Sequence, residues 1–255
     1  MQPTPRQLTL LSVVQAQGSV TVEQLAETLG VTLQTVRRDV QRLADEGLLA
    51  RFHGGVRVPS STTENIAHQQ RENLNAEGKS RIARAVAAAV PNDCSLILNI
   101  GTTTEAIARA LLHHSGLRVI TNNLNVASIL GTNPQCEVIV VGGVVRGRDQ
   151  GIVGEAAVDF IRQFKVDLAM IGISGIEADG TLRDYDYREV KVAQTIISRA
   201  REVWLAADIS KFNRPAMVEV ATLSQIDRLF TDAPPPEPFA ALLTEAQVRL
   251  AVALP

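Results

Sequence analysis

The chain has 255 residues, of which 45% are hydrophobic and 20% are charged, and its formal net charge is −2 at pH 7. This composition supports an ordinary hydrophobic core without metals or disulfides, and no apolar run approaches the roughly 20 residues of a membrane-spanning helix. The weakly negative charge excludes a chain covered with nucleic-acid-binding charge, although it permits a small basic surface.

Two sequence features indicate the cellular compartment. The N-terminal residues MQPTPRQLTLL contain no basic region followed by an apolar core, so we expect no export signal. Cys94 and Cys136 show neither CxxC spacing nor clustered histidines nearby, so we expect two buried, reduced thiols. Both features favour a cytoplasmic protein, and the sequence predicts no metal site and no cofactor.

Helical patterns follow one another in the first part of the chain. Residues 5–17 predict a first helix, because proline suits a helix start and glycine a helix end. Its expected inward side chains are Leu8, Leu11 and Val14, with Val13 as a further candidate. We expect Thr21 to cap a second helix that buries Leu25, Ala26 and Leu29. Gly30 would form the turn that follows, and Thr32 would cap a third helix.

The third helix separates apolar from basic side chains. Helical spacing places one set of residues on the inward side, namely Leu33, Val36, Val40 and Leu43. The opposite side carries Gln34, Arg37, Arg38, Gln41 and Arg42. Arginine and glutamine bond base edges bidentately, and arginine also binds phosphates. We expect Asp39 to orient a neighbouring arginine, because phosphates repel a carboxylate.

A short hairpin is predicted after the third helix. Residues 48–58 alternate in polarity and would turn at Gly54-Gly55. A helix-turn-helix followed by such a wing presents one helix to the major groove of DNA. Residues 1–58 carry six arginines and five acidic residues, and from Leu33 onward the ratio is five to three. The sequence thus predicts a winged helix-turn-helix that binds double-stranded operator DNA. The candidate contacts are Thr32, Gln34, Thr35, Arg37, Arg38, Gln41, Arg42, Arg51, His53 and Arg57, with His53 equally a candidate turn residue.

A polar segment at residues 59–63 has little capacity to pack, so we place a boundary there. We predict three parts: a winged helix-turn-helix domain at 1–58, an irregular or helical linker at 59–75, and an effector-binding domain at 76–255. Within the linker, we interpret Arg71 and Glu72 as surface charges.

Strand-like and helix-like runs alternate beyond the linker. The predicted strands are 95–100, 117–121, 137–142, 167–172 and 203–208, and the predicted helices between them are 104–113, 124–130, 155–164 and 187–200. A last helix near 239–245 and a final strand follow a stiff proline segment. This alternation predicts an α/β domain with a mostly parallel sheet covered on both faces.

Small and polar residues follow several of the predicted strands. Ligands of parallel sheets bind beyond the carboxyl ends of the strands, and free amides at a helix N-terminus favour an anion such as phosphate. We therefore predict a site for a phosphorylated metabolite. Its candidate residues are Asn99, Gly101, Thr102, Thr103, Asn123, Gly142, Gly143, Ser174, Gly175, Asp208 and Lys211. Lys211 is the candidate for charge recognition, with an ordinary surface lysine as the alternative, and Asp208 would position it, bond ligand hydroxyls or cap the next turn.

Residues 182–188, LRDYDYR, hold both tyrosines of the chain between charges. They predict a ligand loop or lid, an oligomer contact, or a plain surface loop, and the sequence alone does not choose among these. No GxxxxGK[ST] motif is present, so nucleoside triphosphate hydrolysis is not indicated.

Several of these motifs resemble those of the DeoR family of bacterial transcriptional repressors. They are LAETLGVTLQTVRRDVQRLADEGLLARFHGGV, NIGTTTEAIARAL, VITNNLNVA, GGVVRGRD, GISGI and DISKF. The resemblance covers nearly all of the chain and is strongest to members that repress glycerol 3-phosphate metabolism genes. It implies a C-terminal domain related to ribose-5-phosphate isomerase-like folds. It also implies a homodimer or homotetramer that releases operator DNA when glycerol 3-phosphate binds.

One residue departs from that family's pattern. Relatives usually have aspartate two residues ahead of Gly-Thr-Thr, where this chain has Asn99. An amide can bond a hydroxyl, but it cannot act as a catalytic carboxylate, so the departure weighs against enzymatic turnover. Two alternatives stay open: a repressor that responds to another sugar phosphate, and a sugar-phosphate isomerase-like enzyme with an appended DNA-binding domain.

Overall fold

A computed structural model describes residues 3–17, 19–52, 54–57 and 68–254 of the chain. Its N-terminal part contains three helices and a three-stranded antiparallel sheet of order β1-β3-β2. In chain order these are α1 (Pro5–Gln17), β1 (Ser19–Thr21), α2 (Val22–Leu29), α3 (Leu33–Asp45), β2 (Ala50–Phe52) and β3 (Gly55–Arg57). The predicted winged helix-turn-helix is therefore confirmed.

Local sequence chemistry fixes the ends of α2 and α3. Thr21 and Gln24 form a reciprocal capping box at the start of α2. Gly30 ends that helix in the left-handed conformation, with φ of 63°, which glycine adopts at little cost. The Thr32 hydroxyl then accepts a hydrogen bond from the Thr35 amide at 3.3 Å and caps α3. All three predicted turn and cap residues are confirmed.

Two predictions about this part are wrong in detail, and one strand was missed. Leu8 and Leu33, expected inside, are 37% and 40% exposed, whereas Leu10 is fully buried. The hairpin does not turn at Gly54-Gly55, because Gly55 already pairs with Phe52 within the ladder. The strand β1, which pairs with β3, was not expected. A three-residue strand carries too little alternation to be recognised from sequence.

The C-terminal part begins with two helices, α4 (His68–Asn73) and α5 (Ala76–Ala89). The elements that follow are β4 (Ser95–Leu98), α6 (Thr102–Ala110), β5 (Leu117–Thr121), α7 (Leu124–Leu130), β6 (Cys136–Val140), β7 (Val144–Arg146), β8 (Gly151–Val153), α8 (Glu155–Arg162), β9 (Val166–Ile171), β10 (Gly175–Ile176), β11 (Thr181–Asp184), α9 (Tyr187–Ser198), β12 (Ala200–Ala206), a 3₁₀ turn (Ile209–Lys211), β13 (Val218–Thr222), a second 3₁₀ turn (Leu223–Gln225), β14 (Arg228–Thr231), α10 (Phe239–Glu245) and β15 (Arg249–Val252).

Seven of these strands form one parallel sheet of order β15-β14-β12-β9-β4-β5-β6. Successive side chains enter opposite faces, as the strand period of two requires. Leu96 and Leu98 belong to a core under α5, α6 and α7, whereas Ile97 belongs to the core under α8, α9 and α10. In the first core, Trp204 of β12 packs against Phe230 with ring centroids 5.3 Å apart. The predicted parallel sheet, covered on both faces, is confirmed.

The alternation of strand-like and helix-like runs did not predict the small β-sheets, and the predicted linker is only partly described. A separate antiparallel sheet joins β10, β11 and β13, and β7 pairs with β8 as a hairpin. The predicted break at 59–63 lies outside the described residues, and the division into 1–58, 59–75 and 76–255 stays a prediction. Cys94 is buried as expected, but Cys136 is only half-buried. Within the described ranges, no helix has the length and apolar character to span a membrane.

Candidate DNA-binding surface and ligand site

The basic face of α3 is open to solvent. Gln34, Arg37, Arg38 and Gln41 are all exposed, while the other side of the helix buries Val36, Val40 and Leu43. Asp39 is buried beneath this face and accepts hydrogen bonds from Arg6 Nε at 2.6 Å and Gln7 Nε2 at 2.8 Å. Asp39 does pair with an arginine as expected, but the partner is Arg6 of α1 and not a neighbouring arginine of α3. Burial of one face and anchoring to α1 thus present the arginines outward on a fixed helix.

The wing lies beside α3 and is linked to it by side chains. Gln41 Oε1 accepts a hydrogen bond from Arg51 Nη1, and Gln41 Nε2 donates to Asp45 at 2.7 Å. Arg42 is half-buried, with its Nε 3.9 Å from Glu46 Oε1. Arg51 is exposed, so the surface formed by α3 and β2 carries guanidinium groups on both elements.

The other predicted DNA contacts have more limited support from geometry. The Thr32 and Thr35 hydroxyls lie 2.9 Å apart within the helix cap, so both already have partners. Arg57 is exposed at the far end of β3, opposite Ala50 and away from the turn. His53 lies outside the described residues. None of these contacts is tested by a bound DNA, and they stay predictions.

The order of the large sheet defines where a ligand site belongs. From β4 the chain proceeds outward through β5 and β6, then crosses back to β9 on the other side of β4 and proceeds through β12, β14 and β15. The point of reversal therefore lies between β4 and β9. In open α/β sheets, ligands bind beyond the carboxyl ends of the strands at this reversal. Here those ends lead into Asn99 and Gly101 on one strand and into Ser174 and Gly175 on the other.

The helix after β4 begins without a side-chain cap. Gly101 precedes α6 with φ of 148° and ψ of 152°, and this N-cap residue has no side chain to bond the first amides of the helix. The first intrahelical bond runs from the Glu105 amide to the Gly101 carbonyl at 3.0 Å. The amides of Thr102 and Thr103 are thus among the groups that a helix N-terminus leaves for an anion. Both threonines are buried, at 7% and 6% exposure.

Buried oxygens without hydrogen-bond partners among the described residues collect at this edge of the sheet. They are Asn99 Oδ1 after β4, Asn122 Oδ1 after β5, Asp208 Oδ2 after β12 and Thr231 Oγ1 at the end of β14. A buried polar group without a partner costs about 1–3 kcal/mol. Their concentration at the carboxyl ends indicates a site built to receive a polar ligand. The sequence predicted Asn99 and Asp208, but missed Asn122 and Thr231.

Four cationic side chains lie near one another at the same edge. Lys211, Lys79 and Arg214 are at most 9% exposed, and the Arg71 side chain is 15% exposed. Burial lowers the pKa of Lys211 to about 7; Asp208 opposes this change, whereas the three other cations add to it. Burial likewise lowers the pKa values of Lys79 and Arg71.

These positions correct two interpretations made from the sequence. Lys211 is not an ordinary surface lysine, and Arg71 is not a surface charge, although Glu72 beside it is exposed. Lys79 and Arg214 were missed altogether. The only signal for Lys79 is a lysine on the helix face that carries the buried Ile82 and Val86.

The remaining candidate residues differ in whether their side chains are available to bond a ligand. The Asn123 side chain caps α7 through the Asn125 amide at 2.9 Å and donates to Glu105 at 3.2 Å, so it is already engaged. Ser174 Oγ donates to Asp184 at 2.9 Å. A Cβ atom at Gly175 would overlap the carbonyl oxygen of Arg214, so this position requires glycine.

The last candidates lie elsewhere along the same edge or in loops. Gly142 and Gly143 are exposed between β6 and β7. Asp208 does cap the turn after β12, with its Oδ1 accepting the Ser210 amide at 3.0 Å.

A network of charges borders the site around the segment LRDYDYR. Arg146 donates to Asp149 at 2.6 and 2.8 Å, to Asp186 at 2.9 Å and to Glu189 at 2.7 Å. Burial, reinforced by Asp184, raises the pKa of Glu189 to about 7, against the influence of Arg146. The segment is not a plain surface loop, because it forms the end of β11 and the start of α9. Whether it also contacts a second subunit stays open.

A winged helix-turn-helix joined to an α/β domain with a candidate anion site is the architecture expected of a ligand-responsive DNA-binding regulator. Residues 6–62 match the family model of the DeoR-like helix-turn-helix domain, and residues 74–233 match that of the DeoR C terminal sensor domain. The chain therefore belongs to the DeoR family of transcriptional regulators.

Individual relatives are similar over their full length. The chain is 46% identical over 250 residues to the glycerol-3-phosphate regulon repressor of Escherichia coli (strain K12), covering 98% of this chain and 99% of the relative. It is 41% identical over 246 residues to the HTH-type transcriptional repressor CsqR of the same organism, covering 96% and 94%. Among solved structures, ribose 5-phosphate isomerase A from Methanocaldococcus jannaschii covers 54% of this chain and 55% of its own, at 14% identity and a TM-score of 0.40, too low to bear on function.

Proposed function

We propose that this regulator represses glycerol 3-phosphate metabolism genes and leaves its operator when glycerol 3-phosphate binds the sensor domain. One observation carries the proposal. An uncapped helix N-terminus, buried cations and unpartnered oxygens lie together at the carboxyl edge of the sheet, where the strand order reverses. A small molecule with a phosphate at one end and hydroxyls at the other matches these groups. The 46% identity to a glycerol-3-phosphate regulon repressor supports the same effector.

DNA recognition follows from the exposed face of α3. In our proposal, Gln34, Arg37, Arg38 and Gln41 enter the major groove, while Arg51 and Arg57 on the wing bind phosphates. Gln41 would exchange its contacts with Asp45 and Arg51 for a base edge, so the wing and the helix would adjust together on binding. A homodimer or homotetramer would place two such helices on repeated half-sites.

Effector recognition would use the two halves of the ligand differently. We place the phosphate on the amides of Thr102 and Thr103, with Lys211 supplying charge. The hydroxyls would bond Asn99 and Asp208, whose buried oxygens are unpartnered within the described part of the chain. Asn123 is a weaker candidate, because its side chain already bonds Glu105 and the α7 amides.

We propose that the site binds its ligand without turnover and that the protein acts in the cytoplasm, where its DNA is. The relatives are transcriptional repressors. At the strand end where proton transfer would need a carboxylate, this chain has the amide of Asn99.

Operator binding in the presence of candidate effectors tests this function. The chain's own upstream DNA, fluorescently labelled, is titrated with protein alone and with glycerol 3-phosphate, glycerol or ribose 5-phosphate. We expect glycerol 3-phosphate to weaken binding by about 5–150-fold, the usual range of allosteric coupling, and glycerol to have no effect. Release by ribose 5-phosphate alone would assign another effector, and consumption of either phosphate ester would indicate an enzyme.

A further inference from the structure

We propose that Arg71, on the connector helix α4, is a direct ligand of the effector's phosphate and connects effector binding to the DNA-binding domain. This inference rests on the proposed function and adds to it a residue that lies outside the sheet and its loops. Arg71 comes 14 positions after Arg57, the last described residue of the wing. A ligand contact there would act on the segment that joins the two domains.

The Arg71 side chain is mostly buried, and its hydrogen-bonding groups are incompletely paired. Its Nε is buried and has no hydrogen-bond partner among the residues described, and its nearest ion-pair contact is Nη2 to Asp149 Oδ2 at 4.0 Å. Guanidinium groups have five N–H donors and normally bind carboxylate or phosphate with two of them. The observed contact is too long to be a hydrogen bond. A buried fork in this condition is suited to an incoming anion.

The neighbouring acids do not supply such an anion, because each of them already has other hydrogen-bond partners. Asp149 bonds Arg146 through both oxygens, at 2.8 and 2.6 Å, and Glu189 bonds it at 2.7 Å. Asp184, another nearby acid, accepts the Ser174 hydroxyl and the Tyr185 amide. Nearby carboxylates therefore attract the Arg71 guanidinium, but each of them already accepts hydrogen bonds from other residues.

The cations on the other side of Arg71 favour an anion between them. Lys79, Arg214 and Arg71 all lie close enough to Lys211 to lower its pKa, and Asp208 is an acid close enough to both lysines to oppose the lowering of their pKa values. Lys79 also fixes the connector, because its Nζ donates to the carbonyls of Arg71 and Leu74. Lys79 thus ties the backbone of α4 to α5, while the Arg71 guanidinium can still bond a ligand.

Two variants on the connector contacts separate ligand binding from simple tethering. Arg71→Gln removes the guanidinium. Arg109→Gln removes the exposed ion pair of Arg109 Nη2 with Glu72 Oε1 at 3.5 Å, which also joins α4 to the sensor domain. Calorimetry measures the Kd of glycerol 3-phosphate, and labelled operator DNA measures DNA binding with and without it. Arg71→Lys, which keeps the charge but not the fork, checks that the glutamine variant has not merely unfolded.

We expect Arg71→Gln to raise the Kd of glycerol 3-phosphate at least about tenfold and to abolish release, with operator affinity in the absence of effector unchanged within about twofold. Arg71→Lys should lie between it and the wild type, and Arg109→Gln should match the wild type. Wild-type Kd values in both Arg71 variants would overturn this inference and leave the proposed function standing. Absence of binding by the wild-type protein would overturn the proposed function itself.

Discussion

If Lys211 binds the effector's phosphate as proposed, effector binding should depend on pH. Its pKa is lowered to about 7 by burial, so above that value the free site holds mostly a neutral amine. A bound phosphate favours the ammonium and raises this pKa, while the phosphate itself is already a dianion, since its second pKa is about 6. Between pH 7 and 9 the complex therefore takes up a proton on forming. We expect the affinity for glycerol 3-phosphate to fall by up to about tenfold per pH unit in that window.

Calorimetry in buffers of different ionisation enthalpy measures the proton uptake directly. Lys211→Arg is the matched control, because a guanidinium stays protonated across this range. Its affinity should be nearly independent of pH above 7. A wild-type affinity that does not change between pH 7 and 9 would contradict a charge contact by Lys211.

The DNA-binding surface makes a second prediction at the level of single residues. Arg38→Ala should cost about 1–3 kcal/mol and relax the preference for one base pair, whereas Arg51→Ala should weaken all sequences alike and reduce the salt slope by about one. Operator binding is measured across a salt series on wild-type and single-substituted sites. Arg118→Ala removes an exposed arginine that pairs with Glu137 in the sensor domain, and should change neither quantity. Tight operator binding by Arg38→Ala at every salt concentration would contradict the proposed contact.

Residue by residue, the sequence was informative where a side chain stands beside a recognisable strand end or cap. Asn99, Asp208, Thr21 and Thr32 all follow such signals. Arg71 and Lys79 do not, because their surroundings are formed by acids distant in the chain, such as Asp149 beside Arg71 and Asp208 near Lys79. An amphipathic helix shows from sequence which side chains turn inward, but not that a buried cation among them faces a ligand.

At the scale of secondary-structure elements, we predict the effect of a substitution at Gly175. It begins β10 with its Cα against the backbone of Arg214, and a methyl group there would overlap that carbonyl. Gly175→Ala should therefore displace the small β10-β11-β13 sheet from the carboxyl ends, lower stability by about 1–3 kcal/mol as overpacking does, and weaken effector binding. Gly147→Ala, where nothing lies within 4 Å, should leave both unchanged. Urea unfolding and calorimetry of the two variants provide the comparison, and equal stabilities would show that the backbone gives way at no cost.

Strong periodicity located the long elements and failed on the short ones. The predicted bounds of β5 and α7 agree with the structure, since each has regularly spaced apolar residues and lies between polar breaks. By contrast, β10 has two residues, and β7 and β8 have three each. Helix α5 was not predicted, because its alanines and charges leave a weak apolar stripe. Short strands gain their stability from pairing partners that a local window does not contain.

For the whole molecule, the proposed function requires reciprocal linkage. If glycerol 3-phosphate lowers operator affinity by some factor, saturating operator DNA must lower glycerol 3-phosphate affinity by the same factor. Titrating the effector with and without an excess of operator duplex measures the second factor. We expect agreement within experimental error and a coupling of about 1–3 kcal/mol. Unequal factors would contradict a simple two-state switch and indicate a further equilibrium, such as a change in subunit assembly.

The order of the two domains and their general class followed from the sequence, since each has its own periodicity. The order of strands within the sheet did not, because alternating βα units are compatible with several arrangements. The reversal between β4 and β9 is set by contacts that are distant in the chain, such as Leu96 beside Leu168. The position proposed for the site therefore depends on those long-range pairings.

The single tryptophan of the chain has a practical consequence. Trp204 is buried in the sensor domain, with Arg228 over its ring at 5.3 Å and its Nε1 donating to Glu202 at 2.8 Å. Intrinsic fluorescence excited at its absorption edge therefore reports on that domain, while the DNA-binding domain is optically silent. A variant that loses operator affinity while its emission spectrum stays constant has been altered in the DNA-binding domain and not around Trp204. No extrinsic dye is needed to distinguish damage to the DNA-binding domain from damage to the sensor domain.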